Sequence, residues 1–223
     1  NCLYLPYLHN QLLFHTSMQD FQAFLQITAL LKPEQLNQID QMLGMAHFVD
    51  GAVTASAAAK RVKQNLQIDP NQNAEMLEGI VMQALHNQSQ VRDMIMPRYI
   101  LPPLFSKYES DMTYGFHVDN PLMSKKNHPP IRTDLACTVF LSAKADYEGG
   151  ELEIIAEGKK HLFKLDRGDA IIYPTQFVHQ VRPITAGARV AADNRMQSML
   201  RSTEQREILY QHKMHYEQMT QTG

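Results

Sequence analysis

The chain has 223 residues, 44% of them hydrophobic and 20% charged, with a formal net charge of -2. That length holds one large or two small domains around a substantial core, and the balance excludes an intrinsically disordered chain. A net charge of -2 with no dense Lys/Arg run excludes the electrostatic footprint of a protein that tracks a polyanion, and two cysteines, Cys2 and Cys137, exclude a disulfide framework and favour a reducing, cytoplasmic compartment.

The opening stretch NCLYLPYLHNQLLF is apolar, yet it has no basic leader, contains a proline and a histidine, and falls short of the ~20 residues of a membrane span. Residues 1–17 therefore read as an extension ahead of the domain, with Met18 as an alternative start. Residues 18–96 read as mainly helical. In KPEQLNQIDQMLGMA, Pro33 suits a first helical turn, and Leu36, Ile39 and Leu43 recur as one apolar stripe. In QNAEMLEGIVMQALHNQ, Leu77, Ile80, Val81, Ala84 and Leu85 do the same. These spacings predict helices over 33–45 and 72–87, each with one apolar face that packs on a sheet.

From residue 97 to 200 the pattern changes to short runs bounded by turn residues: YILPPLFSKY, YGFHVD, DLACTVFLS, GELEIIA, HLFKL, AIIYP, VHQVRPI and ARVAA. About eight short strands with no helix-period segment between them point to a jelly roll, a double-stranded β-helix, rather than a βαβ fold. Helices first and strands afterwards make an α+β domain with the N-terminal helices packed on one sheet. Residues 201–223 return to helical composition and predict a short C-terminal helix.

Within YGFHVDNPLM, His117 and Asp119 sit two positions apart in a strand-like run, so both side chains fall on one face. Two nitrogen donors and one carboxylate on one face of an octahedral ion form the facial triad of non-haem Fe(II) oxygenases, which leaves the opposite face open. The best third ligand is His179 in YPTQFVHQVRP, at the far end of the strand series. Arg189 follows across a TAG turn, which predicts that it lies beside His179 on an adjacent antiparallel strand. An arginine there has a physical reason. A keto-acid co-substrate such as 2-oxoglutarate chelates the metal at one end and leaves its second carboxylate deeper in the barrel, where a planar, permanently charged fork binds it. The hydroxyl of Tyr108 is placed to share that carboxylate.

Taken singly, these signals are common: an HxD spacing arises by chance, and a lone arginine is usually salt-bridged. Their order and their shared position on predicted strands give them weight. His212 and His215 share a face of the last helix and read as solvated, and His161 and His128 lack carboxylate partners at strand or helix spacing. The thirteen methionines are scattered and read as adaptable core filling, and dinucleotide and P-loop motifs are absent. The loop MSKKNHPPIRTD beside the ligands carries Lys125, Lys126, His128 and Arg132, which suits a polar or anionic substrate.

YGFHVDNPLM, IRTDLACTVFLS, YEGGELEI, GDAIIYPTQFVHQVRPITAGARVA and MQSMLRSTEQRE together resemble the PKHD-type hydroxylases, bacterial Fe(II)/2-oxoglutarate oxygenases similar to the prolyl 4-hydroxylase catalytic domain. FVDG, AAAKRVKQNLQI and LPPLFSKY fit the same family. The resemblance implies that His117, Asp119 and His179 bind iron, that Arg189 binds 2-oxoglutarate, and that L-ascorbate keeps the metal reduced. It implies hydroxylation of a C–H bond with O2, on a substrate that includes protein or peptide residues among its candidates. ADNRMQS departs from the family, which commonly carries a tryptophan there, and predicts either that Asp193 and Arg195 neutralise each other or that the strand breaks. The R-x5-R formed by Arg189 and Arg195 also resembles the AlkB-type nucleic-acid demethylases, a reading that the missing basic footprint disfavours. A jelly-roll binding module without turnover is the rival from another class.

Overall fold

The computed structural model describes residues 24–54, 59–124 and 129–221. The chain begins with β1 (Leu25–Ile27), α1 (Pro33–Gly44), β2 (Phe48–Asp50), β3 (Lys63–Gln64), β4 (Leu66–Ile68) and α2 (Glu75–Asn87). A single π-helical turn then leads to β5 (Pro97–Ile100), β6 (Leu104–Tyr108), β7 (Thr113–His117), β8 (Leu122–Met123) and β9 (Ile131–Arg132). The remaining strands are β10 (Leu135–Phe140), β11 (Tyr147–Gly149), β12 (Leu152–Ala156), β13 (Lys159–Phe163), β14 (Ala170–Pro174), β15 (Val178–Val181), β16 (Ile184–Gly187) and β17 (Arg189–Ser198), followed by α3 (Thr203–Gln221).

Two antiparallel sheets face each other. The major one runs β1-β14-β10-β17-β6-β4-β2 with β5 also on β17, and the minor one runs β13-β12-β15-β7-β3. Two antiparallel sheets packed face to face around a shared apolar layer make a double-sheet jelly roll.

Alternation along the central strands explains the layering. Every residue of β10, LACTVF, is buried, because one face meets the minor sheet and the other meets helices. On the helix side, Cys137 and Val139 join Phe105, Ile172, Ala192 and Met196 in one cluster with Ile39 of α1 and Leu77, Val81 and Leu85 of α2. Between the sheets, Ala136, Phe140, Ile171 and Tyr173 meet Leu152, Ile154 and Phe163. In β17 the same period sends Arg189, Ala191, Asp193 and Arg195 into the space between the sheets, opposite the helix-facing Ala192 and Met196.

The structure differs from the sequence reading in four ways. First, the segment read as mainly helical carries four strands besides α1 and α2: β1 pairs with β14, β3 with β7, β4 with β6, and β2 with β4. These are two or three residues long and polar in part; strands already in place supply the pairing that their own composition does not. Second, α2 starts at Glu75 rather than at 72, after a turn in which Asn73 Oδ1 accepts a hydrogen bond from the Glu75 amide. Third, α3 is not short but 19 residues long. Fourth, β7 ends at His117, so Asp119 lies just beyond the strand. The expected 1–17 extension and Met18 lie outside the described residues. Among those residues no helix is long and apolar enough to cross a membrane.

Candidate metal and co-substrate centre

Strand pairing brings the histidines together. β7 and β15 are neighbours in the minor sheet with His117 and His179 as direct partners, and their ring centroids lie 4.2 Å apart. Asp119, two residues past His117, brings its carboxylate to the same point. One ligand atom from each of His117, Asp119 and His179 lies within 4.8 Å of the others. The ring of Tyr114 stacks on His117 at 3.7 Å, and Tyr173 meets His179 edge-on at 5.3 Å, so both imidazoles are held by packing.

The hydrogen bonds fix which nitrogen is free. His117 Nδ1 lies 2.8 Å from the Gly115 carbonyl and His179 Nδ1 lies 3.0 Å from the Phe177 carbonyl. A carbonyl only accepts, so each Nδ1 carries the proton, and a neutral ring then has a bare lone pair at Nε2. Burial, with the neighbouring His179, lowers the His117 pKa to about 4, and burial lowers that of His179 as well. Both rings are therefore neutral near pH 7. Burial pushes the Asp119 carboxyl up, but Arg195, His179 and His117 outweigh it and hold the group below its ordinary value. Two neutral imidazoles and one carboxylate form the donor set of a facial triad.

The fit to a ligand shows in the polar atoms left over. Asp119 Oδ2 is buried with no hydrogen-bond partner. Arg189 is 1% exposed, and none of its three guanidinium nitrogens has one either. The guanidinium lies 5.4 Å from the Tyr108 ring and 5.3 Å from the Phe140 ring. A permanently charged group buried this way costs several kcal/mol, roughly, unless an anion joins it. Tyr108 is the register partner of Arg189, and both are buried, so the expected pair stands side by side. Gly150, at φ +66°, makes room for Arg189, because a Cβ there would lie 3.2 Å from its Cδ and 2.3 Å from Ile184 Cδ1. The sequence reading missed Tyr147, a buried tyrosine close enough to Arg189 that the guanidinium pulls its pKa down against the larger raising effect of burial. It lies in ADYEGG, which reads as a turn; only the Tyr-Gly alternation of β11 hints at an inward side chain.

A cavity of about 130 Å³ is lined by the triad together with Lys63, Asn65, Gln67, Ser106, Thr138 and Asp193. Three expectations fail here. His179 and Arg189 are not on adjacent strands: β15 belongs to the minor sheet and β17 to the major, because β16 turns away to pair with β11 and carries the chain across. Asp193 and Arg195 do not neutralise each other, and β17 does not break. Asp193 accepts hydrogen bonds from Ser106 Oγ at 3.1 Å and Thr138 Oγ1 at 2.9 Å, whereas Arg195 Nη2 reaches Asp119 Oδ1 at 2.6 Å. Arg132 is not available to a substrate, since its guanidinium binds both oxygens of Asp134 at 2.5 and 2.7 Å. Lys125, Lys126 and His128 lie outside the described residues. His212 and His215 are exposed on α3, and His161 packs against Phe24.

Comparison with known proteins agrees with this geometry. Residues 103–195 match the family model of the 2OG-Fe(II) oxygenase superfamily. A PKHD-type hydroxylase of Stenotrophomonas maltophilia is 38% identical over 200 residues, covering 89% of each chain. One of Gloeothece citriformis is 40% identical over 184 residues, covering 82% of each. Among solved structures, a prolyl hydroxylase of Trichoplax adhaerens in complex with a hypoxia inducible factor peptide fragment has a TM-score of 0.55 at 16% identity, covering 79% of this chain and 84% of that one. With identity near two-fifths sustained over most of both sequences, the chain belongs to the PKHD-type hydroxylases and is a dioxygenase that uses Fe(II) and 2-oxoglutarate.

Proposed function

We propose that His117, Asp119 and His179 hold the ferrous ion, that Arg189 with Tyr108 takes the far carboxylate of 2-oxoglutarate, and that the group hydroxylated is a residue of a peptide or protein. The observation that carries the substrate class is the rim of the cavity. Val118, at 50% exposure, lies between the two ligands His117 and Asp119 on the same segment. Val118 and Met123 line the cavity, together with Leu101 and Pro102. An apolar rim around a small polar cavity suits a polymer that rests on the surface and inserts one side chain. A free polar metabolite would leave that rim in water.

Bound iron supplies oxygen activation, coupled to decarboxylation of 2-oxoglutarate to succinate and ending in a hydroxylated C–H bond. The protein's own contribution is positional. Its two Nδ1–H groups, anchored on the Gly115 and Phe177 carbonyls, leave each Nε2 free to hold the ion, and the buried guanidinium of Arg189 would take the carboxylate. Tyr114 and Tyr173 shield both rings from water. Ascorbate as reductant and a cytoplasmic setting belong to the same proposal. The first rests on the family resemblance, the second on the low cysteine content and on Cys137 being a buried free thiol.

The test is incubation of the iron-loaded protein with 2-oxoglutarate, isotopically labelled O2 and fractionated lysate. Label appearing in a peptide bond-linked residue supports the reading. Label found only in free metabolites, with peptides unlabelled, moves the substrate class.

A further inference from the structure

We propose that Arg195 is a positioning residue for the metal: it grips one oxygen of Asp119 and so presents the other oxygen, alone, to the ion. The inference rests on the reading of His117, Asp119 and His179 as ligands.

The need for such a grip follows from the backbone. β7 ends at His117, so no sheet ladder fixes Asp119, and its side chain must be oriented by other means. Arg195 is anchored well enough to do this. It lies within the ten-residue β17, directly opposite Ala136 of β10, and its Nη1 donates to the Asn194 carbonyl at 3.0 Å. From there Nη2 crosses between the sheets to Asp119 Oδ1 at 2.6 Å, a charge-assisted hydrogen bond. Both side chains are largely buried, with 15 and 7% of their surfaces exposed. Oδ2 has no hydrogen-bond partner and lies 4.0 Å from His179 Nε2, within the cluster in which one ligand atom of each of the three residues lies within 4.8 Å of the others.

The two oxygens thus have different partners. A carboxylate free to rotate can chelate through both oxygens and occupy two positions on a metal. One oxygen held by a guanidinium restricts it to a single position, which keeps the opposite face of the ion open for co-substrate and oxygen. Charge alone predicts the reverse effect on affinity, because a guanidinium beside the ligand repels a dication. The sign of the change on removing Arg195 therefore separates positioning from repulsion.

The experiment measures Co(II) binding to the full chain by calorimetry, without 2-oxoglutarate, for wild type, Arg195→Met, Arg195→Gln and Arg195→Lys. Infrared difference spectra of the Co(II)-loaded and metal-free forms accompany it. Positioning predicts about a 10- to 100-fold loss of Co(II) affinity in Arg195→Met, the usual effect of removing an outer-shell partner. It also predicts a narrower splitting of the carboxylate stretches as Asp119 becomes chelating, and partial recovery of both in Arg195→Lys. Equal or tighter Co(II) binding by Arg195→Met, with unchanged splitting, overturns the proposal. If melting of the metal-free protein shows Arg195→Met unfolded, Arg195→Gln decides: the neutral amide removes the repulsion and grips Asp119 more weakly, so weaker Co(II) binding with a narrower splitting supports positioning, and equal or tighter binding with unchanged splitting overturns it. Failure of the wild type to bind Co(II), or binding that survives in His117→Ala, removes the metal centre itself and this inference with it.

Discussion

His117 and His179 are direct partners across β7 and β15, and His179 Nε2 lies 4.0 Å from Asp119 Oδ2, which has no hydrogen-bond partner. Replacing any one of the three by alanine is expected to abolish tight Fe(II) binding and leave the barrel folded, since none belongs to the main apolar clusters. Metal analysis after desalting, beside far-UV circular dichroism, checks this. A variant that keeps full iron occupancy removes that residue from the triad.

Arg189 stands buried without a hydrogen-bond partner, so its replacement has opposite effects on binding and on stability. Arg189→Met is expected to weaken 2-oxoglutarate binding by about 2 to 5 kcal/mol, the cost of removing one side of a buried charged contact. The melting temperature of the ligand-free protein should hold or rise, because a desolvated cation is replaced by an apolar chain. Calorimetric titration and a thermal melt read the two effects separately. Unchanged 2-oxoglutarate affinity would take the role from Arg189.

Much of this centre is legible in the sequence, for physical reasons. His117 and Arg189 lie in strands whose alternation sets their faces, and His179 lies in a short strand bounded by turn residues, whereas Asp119 falls just past the end of β7. What escaped depends on contacts between distant segments. The Arg195 to Asp119 bond joins two sheets through side chains alone, so nothing local marks it. The placement of His179 opposite Arg189, rather than beside it, follows from β16 leaving to pair with β11. The strands β1 to β4 exist because β14, β7 and β6 offer edges to short polar stretches. α1 and α2 are legible because each carries an apolar stripe at helical spacing, whose members Ile39 in α1 and Val81 and Leu85 in α2 are fully buried.

Leu85 of α2 is 0% exposed in the cluster beneath the major sheet. Leu85→Ala is expected to cost about 2 to 5 kcal/mol through lost burial and the cavity left behind. Denaturant unfolding at constant metal load measures it. A change near zero would mean that this helix face does not pack on the sheet.

Burial lowers the pKa of Lys63, in the cavity wall, from 10.5 to about 8. Between those values the unfolded chain still binds the proton that the folded chain has released, so stability rises with pH through Lys63. The phenols act in the opposite sense above pH 10, since burial raises Tyr114 to about 12 and raises Tyr108 and Tyr173 as well. From pH 8 to 10, the wild type is expected to gain on the order of 2 kcal/mol relative to Lys63→Met. Parallel denaturant titrations test this, and two profiles that run in parallel would show Lys63 protonated throughout.

On the proposed reading, this chain couples 2-oxoglutarate to oxygen at His117, Asp119 and His179. The most direct measurement is succinate formed when the Fe(II)-loaded protein is mixed with 2-oxoglutarate, O2 and a peptide digest of lysate, with Asp119→Ala run beside it. Succinate that requires both Fe(II) and O2, and that disappears in Asp119→Ala, is the predicted result. No succinate at full iron occupancy, or an equal yield from Asp119→Ala, would contradict it.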